Sequence, residues 1–174
     1  VPHPAADTFG PDFLRYWGLL AGLSRTVGRL EFGEGFAADK VEPFTRELAA
    51  VSREQAALMP ATLLRLRTLA RKHEALWSSC DVYLSPVLGH APAEIGWLGP
   101  EIDPRTHLMR VLRYVSFTPL QNVSGSPAIS LPLGRTDAGV PVGVHVAAPY
   151  GEERRLLELA FELEAANPWP LLAH

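Results

Sequence analysis

Apolar residues recur at steps of three and four along the first half of the chain, a spacing typical of helices with one buried face. The first such segment runs from Asp12 to about Leu30, and the second from Glu42 to about Val51. Ser52 and Gln55 then fit a capping box, which predicts the start of a third helix. One line of that helix carries Leu63, Leu66, Ala70, His73 and Trp77. We therefore predict a mainly helical region over residues 1–80.

The second half of the chain has the composition of strands and turns. The run Asp81–Pro86 is β-rich and ends in proline, which predicts a short strand. Residues 87–104 are rich in proline and glycine, so we expect an irregular segment that forms surface or pocket wall. A helix is predicted from Arg105 to Val115.

Two further strands and a closing helix complete the predicted elements. Residues 128–133 and 140–148 are apolar runs, joined by a turn-rich linker of hairpin length at residues 134–139. A helix should follow from Gly151, with acids in its first turn, and Pro168 should stop it. These elements predict an α/β fold with helices around a mixed β-sheet. We treat residues 1–174 as a single region, helical over 1–80 and mixed α/β over 81–174.

Composition and charge narrow the classes of partner. The 174 residues are 47% hydrophobic and 20% charged, which is typical of a folded chain. Sixteen basic and nineteen acidic residues give a net charge of -3, so nucleic acid is not an expected partner. No apolar stretch reaches the ~20 residues that a membrane span needs. The single cysteine, Cys80, excludes an internal disulfide and suits a reducing compartment. We expect a cytoplasmic location and no membrane partner.

Motifs for cofactor or metal chemistry are missing from the sequence. His73-Glu74 has no second histidine at the spacing of a zinc protease, and Gly33-Glu34-Gly35 lacks both the third glycine and the preceding strand of a dinucleotide loop. His145 alternates with valines, so we interpret it as a packed, hydrogen-bonded histidine. No Gly-x-Ser-x-Gly elbow occurs. We therefore expect no cofactor and no metal.

One long block rises above this background. Residues 117–132 read FTPLQNVSGSPAISLP, and residues 139–149 read GVPVGVHVAAP. They resemble the late blocks of amidase-signature enzymes, in which a threonine-proline turn, an Asn, a Gly and a Pro-Ala lead into strands. Asp81–Pro86 and the helix from Gly151 are similar to further elements of that family, in the same order. The resemblance covers about residues 53–167 and implies an amide hydrolase.

The same resemblance implies that the catalytic residues lie elsewhere. The family uses a serine nucleophile, a second serine in a cis peptide and a lysine base, all placed before the region matched here. This chain has only Lys40 and Lys72, and neither is expected to be buried. Its serine pairs, Ser78-Ser79 and Ser124 with Ser126, lack the surrounding glycines. We therefore assign no catalytic residue and expect this chain alone to be inactive.

The resemblance also implies a role at the substrate pocket. The corresponding loops of the family border the substrate cavity, so Trp97, Phe117, Thr118 and Asn122 are candidate substrate-binding residues. The expected partners are the N-terminal catalytic part of the same protein, a small-molecule amide, and further copies of this chain. The alternative is a noncatalytic α/β module that docks on a separate catalytic chain.

The turn chemistry of the block can be argued without the family. Gly125 permits a positive φ, and Asn122 could bond to nearby backbone groups in an Asx turn. Proline lacks an amide donor, so Pro127 suits the first position of a strand and Pro132 suits its end.

Overall fold

The computed structural model describes residues 7–37 and 39–169. Its helices are α1 (Phe9–Phe32), α2 (Pro43–Glu54), α3 (Met59–Leu76), α4 (Pro104–Tyr114), α5 (Pro119–Ser124) and α6 (Glu153–Ala166). Its strands are β1 (Tyr83–Pro86), β2 (Ala128–Arg135) and β3 (Pro141–Ala147). The chain divides into two compact units. The first holds the residues up to 69 together with 95–112, and the second holds 70–94 and the residues from 113 onward.

The first unit is built on the packing of α1 against α2. Its buried core contains Ala21, Leu48, Ala49 and Leu108, with partly buried apolar side chains around them. Gly18 lets the two helices approach closely, because a Cβ at this position would collide with the carbonyl oxygen of Leu48. The glycines of α1 lower its intrinsic helix propensity, yet the helix runs for 24 residues. Packing on α2 therefore outweighs propensity here.

A buried carboxylate ties α1 to the first turns of α3. Asp12 is only 1% exposed and accepts hydrogen bonds from Arg65 Nε and Nη2, both at 2.6 Å. Thr62 Oγ1 donates to it at 3.1 Å, and Arg15 Nη1 donates at 2.8 Å. The hydrogen bonds from Arg65 hold the pKa of Asp12 below its usual value, with smaller contributions from Thr62 and Arg15, against the opposing effect of burial.

The predicted capping box is wrong. Ser52 lies inside α2 and is buried, where it packs against Gly18. The chain leaves α2 at Gln55, passes through a 3-10 turn at Ala56–Leu58 and enters α3 at Met59. The Ser-x-x-Gln pattern is thus fulfilled by chance, because tertiary packing extends α2 beyond the predicted end at Val51.

The second unit is built on a three-stranded sheet. The order is β1-β3-β2, and both strand pairs are antiparallel. The sheet and α6 enclose a core of Leu131, Val146, Ala148 and Leu156. The α/β class and the β2–β3 hairpin are confirmed. We expected a mixed sheet, and within the described residues every strand pair is antiparallel.

Two features of the strands differ from the sequence prediction. Pro132 does not end β2, which continues to Arg135. The register against β3 becomes irregular between Leu131 and Gly134, and this irregularity accommodates a residue without an amide donor. The prediction for residues 87–103 is confirmed, because this segment contains neither helix nor strand. No helix within residues 7–37 and 39–169 is both long and apolar enough to span a bilayer.

We predict that Asp12→Ala destabilises the chain by about 1.5–3 kcal/mol, the value of hydrogen bonds to a charged group. The loss should remain below that of a fully buried ion pair, because Arg65 is 43% exposed and can be solvated. Urea unfolding followed by circular dichroism measures the change. Glu54→Gln, at an exposed position of α2, is the control and should change stability little. Equal stabilities of Asp12→Ala and Glu54→Gln would contradict the anchoring role.

Candidate functional site

The block Phe117–Pro132 begins with a short helix where we predicted a turn. Thr118 is the N-cap of α5, Pro119 occupies its first turn, and Gly125 ends it at φ +75°. The Gly125 amide donates to the Gln121 carbonyl oxygen at 2.8 Å. The positive φ predicted for Gly125 is therefore confirmed, as the left-handed C-cap of a helix.

The predicted substrate-binding residues of this block lie near one another along the chain and differ in exposure. Phe117 and Thr118 are half-buried, whereas Asn122 is exposed. The turn bond that we expected from Asn122 comes instead from Ser124, whose Oγ accepts the Ser126 amide at 3.3 Å. Asn122 therefore lies at the surface of this unit, and its role toward a substrate stays a prediction.

The buried polar side chain of α5 is Gln121, which the sequence did not single out. It is 7% exposed, and neither Nε2 nor Oε1 has a hydrogen-bond partner within the described residues. A buried amide without partners costs free energy, so such groups are rare in folded proteins. Its sequence neighbourhood contains no signal for this, because the phase of a six-residue helix decides which of Gln121 and Asn122 faces inward.

Trp97, the fourth predicted residue, belongs to the first unit, and the other three belong to the second. Trp97 lies in a turn and is half-buried. Arg110 from α4 fixes it in two ways. Arg110 Nη1 donates to the Trp97 carbonyl oxygen at 2.7 Å, and the guanidinium lies 5.3 Å from the indole centroid. That the four residues line one substrate funnel stays a prediction.

A small apolar cavity lies in the second unit where the loop after β1 meets the β2–β3 hairpin. Its volume is about 270 Å³, and its walls include Val87, Leu88, His90, Pro92, Thr136 and Val142. The His90 ring contacts the Tyr114 ring at 4.8 Å. Gly143 permits the closure of this region, because a Cβ there would collide with Val87 and Ser130. The loop predicted as pocket wall thus borders a concave surface.

His145 is a packed, hydrogen-bonded histidine, as predicted. It lies on β3 and is 5% exposed, and its Nδ1 is 3.1 Å from Ser85 Oγ on β1. The two residues are register partners across the strands. Burial lowers the pKa of His145 below its usual value, which favours the neutral ring. This bond joins two strands at the interior of the sheet.

The lysines and serine pairs give no nucleophile-and-base arrangement that the sequence had overlooked. Lys40 and Lys72 are both exposed. Ser78 and Ser79 donate their hydroxyls to carbonyl oxygens in the last turn of α3. Within residues 7–37 and 39–169, no cluster of three or more His, Cys, Asp or Glu residues could hold a metal ion.

Comparison with known proteins was made on both sequence and structure. The family model described as Amidase matches residues 32–157. AmiC of Mycobacterium leprae (strain TN) is 43% identical over 166 residues, which are 95% of this chain and 35% of that protein. The 6-aminohexanoate-cyclic-dimer hydrolase of Pseudomonas sp. (strain NK87) is 41% identical over 112 residues, covering 60% of this chain and 22% of that enzyme.

The solved structures agree with the sequence matches. A structure of 6-aminohexanoate cyclic dimer hydrolase superposes with a TM-score of 0.73 at 30% identity, over 91% of this chain and 35% of that one. One of the subunits of the glutamyl-tRNA(Gln) amidotransferase from Thermotoga maritima shares the fold at a TM-score of 0.57 and 22% identity, over 91% of this chain and 34% of that one. The chain spans about a third of the length of the AmiC relatives and of these structures.

We predict that lowering the pH below about 6.5 destabilises the chain through His145. The folded state depresses the His145 pKa, so the unfolded state binds a proton first as the pH falls. The stability that His145 contributes is therefore complete above the unfolded pKa and is lost as the pH falls toward the folded pKa. Urea unfolding at pH 7.5 and pH 5.5 should show a smaller loss for His145→Gln than for the wild type. His90→Gln, which removes an exposed histidine, is the control and should keep the wild-type profile. An unchanged profile in His145→Gln would contradict this role.

Proposed function

Because this chain belongs to the amidase family, we propose that it is the C-terminal part of an amide hydrolase, and that it supplies part of the substrate pocket and core. The observation that carries this proposal is the extent of the matches. They cover nearly all of this chain but only about a third of the AmiC relatives. The parent protein would hydrolyse a carboxamide to a carboxylate and an amine or ammonia, without a cofactor.

The placement of the lysines supports a catalytic centre outside this chain. A serine hydroxyl is a weak nucleophile until a positioned base removes its proton. A lysine can serve as that base only when burial or neighbouring charge keeps it neutral. Lys40 and Lys72 are exposed and lack such surroundings. We therefore propose that the Ser-cisSer-Lys triad belongs to the N-terminal part of the protein, and that this part is the main partner of the chain.

The substrate wall is proposed to contain Trp97, Phe117, Thr118 and Asn122. The geometry supports a different role for each of the two aromatic residues. Trp97 is half-buried in a loop and is held by Arg110, so it presents a fixed surface at little cost in packing. Phe117 directly precedes α5 and lies beside the fully buried Leu120. A small-molecule amide in the cytoplasm is the proposed substrate class.

A chimera tests the proposed function. The chain would replace the matching 166-residue region of the 43%-identical relative, and the same relative without that region would serve as the control. We expect the chimera to hydrolyse simple carboxamides or 6-aminohexanoate cyclic dimer, measured by release of amine or ammonia. The deletion control and the isolated chain should be inactive.

Two outcomes would contradict the proposal. Turnover by the isolated chain that Ser126→Ala or Ser79→Ala abolishes would place a nucleophile within it. A stable complex between the chain and the rest of the relative, with no gain of activity over the deletion control, would favour the alternative of a noncatalytic docking module.

We predict that Trp97→Ala in the chimera changes the relative rates on short and long acyl amides, with a stability loss of about 0.5–1 kcal/mol from the lost contact with Arg110. Phe117→Ala should reduce both stability and activity, because Phe117 supports α5. Phe161→Ala, on the exposed face of α6, is the control and should change neither. Unchanged relative rates in Trp97→Ala, or unfolding of that variant, would remove Trp97 from the substrate wall.

A further inference from the structure

Helix α1 carries a row of exposed apolar residues along its C-terminal half. Leu20, Leu23, Val27 and Leu30 are 43%, 47%, 42% and 87% exposed. We call this row the α1 stripe. Single exposed apolar residues are normal on protein surfaces, but four in a row at steps of three, four and three form a continuous seam. This spacing is the pattern by which one helix packs along another.

The rest of the first unit packs on other faces of α1. Trp17 and Ala21 join the core shared with α2, and Ala21 lies about 180° around the helix from Leu30. After α1 the chain turns back at Gly33, with φ +72°, and brings the Phe36 ring onto Gly28. Gly28 lies about 160° around the helix from Leu30. Neither α2 nor the returning segment therefore covers the α1 stripe.

We propose that a second copy of this chain covers the α1 stripe, in an antiparallel helix pair with two-fold symmetry. The steps of three, four and three are symmetric about the centre of the stripe, close to residue 25. A two-fold axis at that centre would pair Leu20 with Leu30 of the second copy and Leu23 with Val27 of the second copy. A surface that matches its own copy in this way is what a two-fold dimer requires.

The residues that border the stripe suit close contact between helices. Gly22, Ser24 and Thr26 are small and uncharged, so they neither hold the second helix away nor require a partner charge. Arg25 points to another face, about 160° around the helix from Leu23. A dimer would therefore bury no unpaired charge at this seam, whereas an acidic or basic partner would find nothing there to bind.

The length of the stripe sets the expected strength of association. Ten residue steps span about 15 Å along the helix axis. Such a contact is small compared with the ~1,600 Å² of a standard interface. We expect a reversible dimer, with a dissociation constant on the order of 10 μM.

Sedimentation velocity of the 174-residue chain from about 1 to 100 μM tests the interface in the affinity range expected for such a contact. The wild type should shift from monomer to dimer across this range. Leu23→Glu and Leu30→Glu should remain monomeric, with unchanged circular dichroism, because both side chains are exposed. Leu64→Glu is the matched control, since Leu64 is 68% exposed on α3, and it should dimerise like the wild type.

Disulfide crosslinking tests the antiparallel register. In a Cys80→Ser background, equal amounts of Leu20→Cys and Leu30→Cys chains, differing in tag, are mixed and oxidised. The mixed 20–30 disulfide should dominate over 20–20 and 30–30 products. Predominant 20–20 crosslinks would overturn the antiparallel pair.

Two further results would overturn the proposal. The first is a monomeric wild type at 100 μM. The second is a dimer that survives both glutamate substitutions. If the stripe variants instead abolish activity in the chimera while the wild-type chain stays monomeric, the stripe is an intramolecular seam. Activity of the wild-type chimera itself reports on the proposed function and does not depend on dimerisation.

Discussion

Strand β3 is the one strand of the described sheet that is hydrogen-bonded on both sides, and the second unit depends on it. Through β3 the Asp81–Pro86 segment and the Pro-Ala strand, which lie more than 40 residues apart in sequence, become neighbours in one sheet. Val146 and Ala147 are fully buried there. The three motifs that carry the family resemblance are thus three strands of one sheet, which explains why they occur together and in fixed order.

The local chemistry of the second unit was largely predictable from sequence. The hairpin, the irregular loop and the positive φ of Gly125 follow from proline, glycine and alternating valines, whose conformational preferences act over a few residues. The burial of His145 likewise follows from its alternation with valines along β3. Each of these inferences needed no knowledge of a distant residue.

The errors arise where distant contacts decide the outcome. Ser52 matched a capping box, but contact with Gly18 buries it within α2. The Asp12–Arg65 pair joins residues 53 positions apart, and no local pattern marks either of them. In α5 the sequence drew attention to Asn122, whereas Gln121 is the buried amide. The candidate site was therefore located at the correct segment, but the orientation of its side chains required the three-dimensional structure.

The prolines of the edge strands affect how the chain behaves when it is newly made. Within the described residues β1 and β2 form the two edges of the sheet, and each contains a proline, Pro86 or Pro132. A strand from another molecule cannot form a continuous ladder along either edge, because proline offers no amide to donate. The sheet is thereby protected against the strand-by-strand growth that leads to fibrils. A chain waiting for its remaining parts can in this way expose its sheet edges in a crowded cell without seeding aggregates.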